Sequence, residues 1–153
     1  MEKTNVMRLL DAAGVSYVAH EYDAETTDGK EVARLVNKPC DCVFKTLVTV
    51  SGKNVHYVFV IPVNATLDLK KAAKAVNEKS IEMLKQKDLL SLTGYVHGGC
   101  SPLGMKKPFK TVIDETAILC DSVCVSAGRK GKQIELAPSD LKNLSNAEFR
   151  DII

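Results

Sequence analysis

Two apolar, β-branched runs, 43–50 (VFKTLVTV) and 55–63 (VHYVFVIPV), are separated only by Ser51, Gly52, Lys53 and Asn54. Turn-forming residues between two such runs predict a β-hairpin with a four-residue loop. The first run is apolar on both faces, which places it inside the molecule rather than on a half-solvated surface.

Elsewhere the periodicity is mixed. Thr4 is placed to cap a helix in which Val6, Leu9, Leu10 and Ala13 recur at helical spacing, and Gly14 ends it. Residues 15–22 alternate as a half-buried strand does, 23–30 read as a polar loop, and 30–37 as a short helix stopped before Pro39. An amphipathic helix is expected over 68–77, a mostly helical stretch over 80–92 ended by Gly94, and a shaped loop over 96–105. Strands are expected over 111–113, 118–126 and 133–136, with a turn at 127–132 and a last short helix over 140–144. No repeat or linker interrupts the pattern, so residues 1–153 read as one domain. Hairpin-joined strands with few, irregularly placed helices predict an α/β (α+β) fold: a mixed, mostly antiparallel, barrel-like sheet with flanking helices.

A hydrophobic fraction of 45% with 26% charged residues fits a folded soluble chain and not a disordered one. The longest apolar stretches, such as 57–61, fall far short of the ~20 residues that cross a bilayer, so no membrane association is expected. The first residues lack the apolar run of a secretory signal, and five cysteines in such a chain read as thiols in a reducing cytoplasm. A net charge of +2 is too small for a general nucleic-acid coat and leaves room only for a local basic patch.

Three segments could carry chemistry. Strand alternation puts Lys45 on the side of Val43 and Leu47, where it either reaches out at the strand end or projects a cation into a pocket, fixed on a rigid strand. The loop Gly98-Gly99-Cys100-Ser101-Pro102-Leu103-Gly104 can bring backbone N–H groups close to an oxyanion or phosphate, or can be a tight connection needing positive φ. It has neither the P-loop nor the dinucleotide-binding spacing. Ser126 stands at a strand end before the basic turn Ala127-Gly128-Arg129-Lys130-Gly131, which is either a solvated hairpin or a phosphate contact. Lys106, Lys107 and Lys110 form another basic cluster. The cysteines do not make a zinc knuckle. On one strand Cys120 and Cys124 would point the same way about 13 Å apart, so core packing is the better account of both. Cys100 has only His97 nearby as a base, and no nucleophile–base–orienter set is visible. His20 and His56 sit in alternating strands as structural or solvent-facing residues.

Together FKTLV around Lys45, TGYVHGGCSPLGMKK over 93–107 and VSAGRKGKQIELAPSDL over 125–141 resemble the YbaK/EbsC-type Cys-tRNA(Pro) deacylases, relatives of the editing domain of bacterial prolyl-tRNA synthetases. The resemblance covers nearly the whole chain. It implies clearance of cysteine wrongly esterified to proline tRNA, with the substrate's own thiol attacking its ester carbonyl to leave a cyclic thiolactone. Such an enzyme needs no nucleophile, cofactor or metal of its own. The family's essential lysine falls on Lys45, expected to hold the phosphate or ribose of the terminal adenosine. Gly98 and Gly99 would offer amides to the carbonyl oxygen, and Ser126 would line the aminoacyl pocket with Tyr22 and Thr46 at its edge. Ala65 would be a pocket wall, and Arg129 a contact to the tRNA. Cys100 is read as packing.

The expected partner is tRNA(Pro) charged with cysteine, not DNA, and the modest charge leaves room for prolyl-tRNA synthetase as a second partner. The alternatives are a deacylase for Ala-tRNA(Pro) or another small misacylated amino acid, a non-catalytic tRNA- or synthetase-binding module, and a zinc protein.

Overall fold

The computed structural model describes residues 2–23, 25 and 27–153. Ala24 and Thr26, in the stretch read as a loop over 23–30, lie outside the described residues, as does Met1. In chain order the elements are α1 (Asn5–Ala12), β1 (Val18–Glu21), α2 (Gly29–Leu35), β2 (Phe44–Ser51), β3 (His56–Pro62), α3 (Leu69–Ala75), β4 (Ile81–Met83), α4 (Gln86–Thr93), β5 (Lys110–Asp114), β6 (Val123–Arg129), β7 (Lys132–Leu136), α5 (Pro138–Leu144) and β8 (Glu148–Arg150). Short 3₁₀ turns occupy Cys40–Cys42 and Glu115–Leu119.

The central hairpin forms as the paired runs predict. β2 and β3 pair antiparallel from Phe44↔Pro62 to Val50↔His56, and Asn54 takes a positive φ of 62° in the connection. Val58, Phe59, Val60 and Ile61 are fully buried, because α1 and the second sheet cover one face and α3 the other. Around the hairpin a five-stranded sheet runs in the order β4-β2-β3-β5-β8, with β3–β5 and β5–β8 parallel. A second, antiparallel sheet has the order β1-β7-β6. The expected barrel does not close. Two separate sheets are joined by one isolated parallel bridge, Val43↔Cys124, where the start of β2 touches β6.

The helix starts follow the local chemistry. The Thr4 hydroxyl accepts from Met7 N–H at 3.2 Å, and Asp68 caps α3 by accepting from Lys70 and Lys71 N–H. Two stretches depart from the sequence reading. Residues 80–92 are not one helix, because Ile81, Glu82 and Met83 pair with the β2 edge (Ser51↔Ile81) and the helix begins only at Gln86. Residues 118–126 are not one strand. Asp114 accepts from Thr116 N–H and Thr116 hydroxyl, which folds 115–119 into a 3₁₀ turn before β6. The C-terminal strand β8 carries too short a pattern to read, and tertiary pairing with β5 creates it. Asp114 is fully buried and its other oxygen accepts from Ile152 N–H at 3.1 Å, tying the segment after β8 to the core.

That rearrangement also revises the cysteines. Cys120 is not on a strand with Cys124. It follows the 3₁₀ turn and is disulfide-bonded to Cys42, with Cα atoms 5.9 Å apart. Cys40, Cys100 and Cys124 are free thiols. Thiol titration of denatured, unreduced protein is therefore expected to count three thiols, and five after reduction. The bond spans 78 residues, so its loss should destabilise the fold by up to about 4.5 kcal/mol on the chain-entropy account, read as a lower Tm on reduction.

Candidate functional site

β4 begins its pairing with β2 only at Thr49, so the edge of β2 over Lys45, Thr46 and Leu47 has no strand beside it on that side. The second sheet approaches there but bridges only at Val43. The gap between the sheets is a cavity of about 150 Å³, the share of roughly five waters in the liquid. Its walls are largely apolar: Val32 of α2, Val43, Phe44 and Leu47 at the start of β2, Val63, and Leu89 of α4.

The polar groups converge on this gap. Lys45, Thr46, Tyr22, Gly98 and Ser126 all line it, as do Thr27, His97, Cys100 and Gln133. Lys45 is half-buried and has no acidic partner among the described residues. Ser126 is 8% exposed, and its oxygen accepts from Gly128 N–H at 3.1 Å, which leaves the hydroxyl hydrogen to donate elsewhere. Gly98 sits at φ 86°, and a Cβ there would come within 2.6 Å of Thr27 Cγ2. No described group accepts from its N–H.

Gly99 and Ala65 stand apart from the expected site, and Arg129, expected as a tRNA contact, lies exposed outside the cavity. Gly99 N–H donates to Val96 carbonyl at 3.0 Å, so that amide is not free for an oxyanion. Gly99 is a glycine for a different reason: its Cα faces the backbone of Arg129 and Lys130, where a Cβ would meet atoms at 3.1–3.3 Å. Ala65 does not reach the cavity. Its N–H closes a turn onto Pro62 carbonyl, and Val63 lines the gap instead. Arg129 follows an irregularity between Ser126 and Arg129 and points to solvent, with Nη2 3.7 Å from Glu2 Oε1. Sequence reasoning missed Gln133, which directly opposes Ser126 on the neighbouring strand. The signal was there in KQIEL, where period two sets Gln133 and Glu135 on the face opposite Ile134 and Leu136.

The same sheet face carries an ionic network under α2. Glu135 Oε1 lies 2.8 Å from His20 Nε2, while its Oε2 takes Lys38 Nζ at 2.9 Å and the Ser122 hydroxyl. Burial pushes the Glu135 carboxyl up, but the hydrogen bonds from Ser122, Lys38 and His20 outweigh it and hold the carboxyl at about 2. His20, Cys124 and Glu135 place their potential ligand atoms within 4.8 Å of one another. Both oxygens of Glu135 are already engaged, and an ion between His20 Nε2 and Glu135 Oε1 would have to replace the hydrogen bond that joins them. Lys38 follows the C-terminus of α2, and the pair thereby pins the helix that supplies one cavity wall. A wider cleft of about 880 Å³ lies between 102–111 and 142–148. It carries the exposed Lys107 and Lys110, and its buried polar residue, Thr111, already donates its hydroxyl to Phe109 carbonyl at 3.0 Å.

Residues 23–144 match the aminoacyl-tRNA editing domain family. A protein of Enterococcus faecalis (strain ATCC 700802 / V583), assigned by inference as the Cys-tRNA(Pro)/Cys-tRNA(Cys) deacylase EbsC, is 45% identical over 99% of this chain and 93% of its own length. A crystal structure assigned by inference as a trans-editing enzyme for prolyl-tRNA synthetase is 26% identical, with a TM-score of 0.85 over 99% of this chain and 98% of that one. The crystal structure of a hypothetical protein shares the fold at 21% identity, with a TM-score of 0.89 over 97% and 99%.

Two outcomes follow from the site chemistry. Glu135 is lowered on folding, so its contribution is full above an unfolded carboxyl value near 4.5 and disappears as pH falls through about 2. Denaturant melts of Glu135→Gln and the parent should differ by on the order of 2–3 kcal/mol at pH 7 and converge towards pH 2. Burial pushes the Cys100 thiol up to about 12, so it is protonated and a poor nucleophile. Cys100→Ala should keep turnover within about threefold of the parent, since a packing change of that size leaves the reacting groups in place.

Proposed function

Because the chain belongs to the aminoacyl-tRNA editing domain family, we propose that it is a trans-acting deacylase that clears cysteine from mischarged tRNA(Pro), with Cys-tRNA(Cys) as a second substrate. The likeness to its relatives runs end to end, which supports reading residues 1–153 as one editing domain. One observation carries the activity: a single small cavity collects Lys45, Thr46, Ser126 and Gly98, while Cys100, the free thiol lining it, is held protonated. A site that orients an ester without supplying a nucleophile fits a substrate that brings its own.

In the proposed step the cysteine Sγ attacks the ester carbonyl carbon, and the bond from that carbon to the ribose 3′ oxygen breaks. The thiol proton passes to that oxygen, so tRNA leaves with a free hydroxyl and the amino acid leaves as a thiolactone, which water then opens. Lys45 fixes the ribose or phosphate end of the ester. Gly98 N–H and the Ser126 hydroxyl donate to the carbonyl oxygen as it gains charge. The apolar walls, Val43 and Val63 among them, strengthen those interactions. The protein acts in the cytoplasm, and prolyl-tRNA synthetase supplies part of the tRNA recognition that a net charge of +2 leaves unmet.

Deacylation of Cys-tRNA(Pro) beside Ala-tRNA(Pro) tests this reading. Cysteine should be released and alanine retained. Lys45→Ala should lower the rate by roughly 100-fold or more, and S-alkylation of the esterified cysteine should abolish release. Release of alanine at a comparable rate, or indifference to the blocked thiol, would replace thiol attack with an activated water.

A further inference from the structure

Two buried side-chain polar atoms among the described residues have no hydrogen-bond partner, Thr46 Oγ1 and Gln133 Oε1. Both belong to residues that line the same cavity, between the two sheets. Gln133 is 6% exposed and is held on β7 between β1 and β6, opposite Ser126 and His20. A buried unmatched acceptor is costly, and a ligand that brings a donor removes the cost. The Thr46 hydroxyl can donate or accept. The carboxamide oxygen can only accept, so a ligand that offers it a hydrogen is the one it matches.

An esterified cysteine has two donors, the α-amino N–H and the thiol S–H. The thiol is a weak donor and gives up its proton in the proposed attack, whereas the amine keeps its hydrogens from binding to product. The charge pattern agrees. Lys45 shares the cavity, and a nearby cation favours the neutral form of an amine whose ordinary pKa lies near 8. A neutral amine still donates and asks for a neutral acceptor. The carboxylate on the same face, Glu135, has both oxygens engaged by His20, Lys38 and Ser122, so it does not compete for the amine.

We propose that Gln133 reads the free α-amino group of the bound aminoacyl ester, making the site selective for esters of intact amino acids over deaminated ones. This rests on the editing function proposed above. The group acts on specificity and positioning: an amine fixed at Gln133 sets the rotation about the Cα–carbonyl bond and thereby which substituent faces the ester.

The probes are cysteinyl-tRNA(Pro) and 3-mercaptopropionyl-tRNA(Pro), which keeps thiol and ester but lacks the amine. The parent protein should cleave the cysteinyl ester roughly 10- to 100-fold faster, the usual consequence of leaving a buried polar group unmatched. Gln133→Leu should bring the two rates within about threefold by slowing the cysteinyl ester. Gln133→Glu keeps an acceptor and should keep the preference. The ratio of two rates on one preparation does not depend on how much of a variant is folded. Equal rates for both esters with the parent protein, or an undiminished preference in Gln133→Leu, would overturn the assignment while leaving thiol-dependent editing intact. Failure of the parent to cleave cysteinyl-tRNA(Pro) would remove the editing function and this assignment with it.

Discussion

The single bridge between Val43 and Cys124 decides what the rest of the molecule can do. β2 is shared: its later half is paired on both sides, by β3 and β4, while its first residues pair with β3 and only brush β6. Had pairing with β6 continued along Lys45 to Leu47, the two sheets would have run into one and the gap would be filled by backbone hydrogen bonds. The cavity is the space left where a β-ladder stops after one rung. Lys45, Thr46, Ser126 and Gln133 are therefore presented by strands whose backbone is fixed by pairing, while Gly98 and Cys100 come from the loop after α4.

The opposite wall depends on charge. α2 has only seven residues, too few to be stable alone, and Gly29 at its start sits so close to Val63 that a Cβ would lie 2.6 Å from Val63 Cγ1. Packing fixes that end. The other end is fixed by Lys38 on Glu135, within a group of partners that also ties β1 to β7 through His20. Apolar contact at one end and an ion pair at the other give a short helix a defined seat.

How much of this was legible differs by scale. The hairpin was legible because its pattern is local and uninterrupted, and so was α1 with its Thr4 cap. Residues 80–92 misled because Ile81 to Met83 becomes a strand only when the β2 edge is present, which no local signal records. The closed barrel failed for a similar reason: strand patterns do not say where pairing ends. At the site, Lys45, Gly98 and Ser126 were legible from their motifs, together with the edge residues Tyr22 and Thr46. Gln133 lay hidden among ordinary strand residues until its neighbour across the sheet was known. Ala65 sits close in sequence to Val63 of the cavity wall, yet a turn directs it elsewhere. The Cys42–Cys120 bond joins residues far apart in the chain, and composition gave no reason to pair them.

The back-to-back contact of Gly99 with the backbone of Arg129 and Lys130 reaches beyond the choice of residue at position 99. It welds the loop carrying Gly98 and Cys100 to the turn that joins Ser126 to Gln133. The two segments lie in contact on that side of the cavity, so displacing one presses on the other. On the editing function proposed above, an over-large acyl group would press on two packed segments at once, the loop at Gly99 and the turn at Arg129 and Lys130.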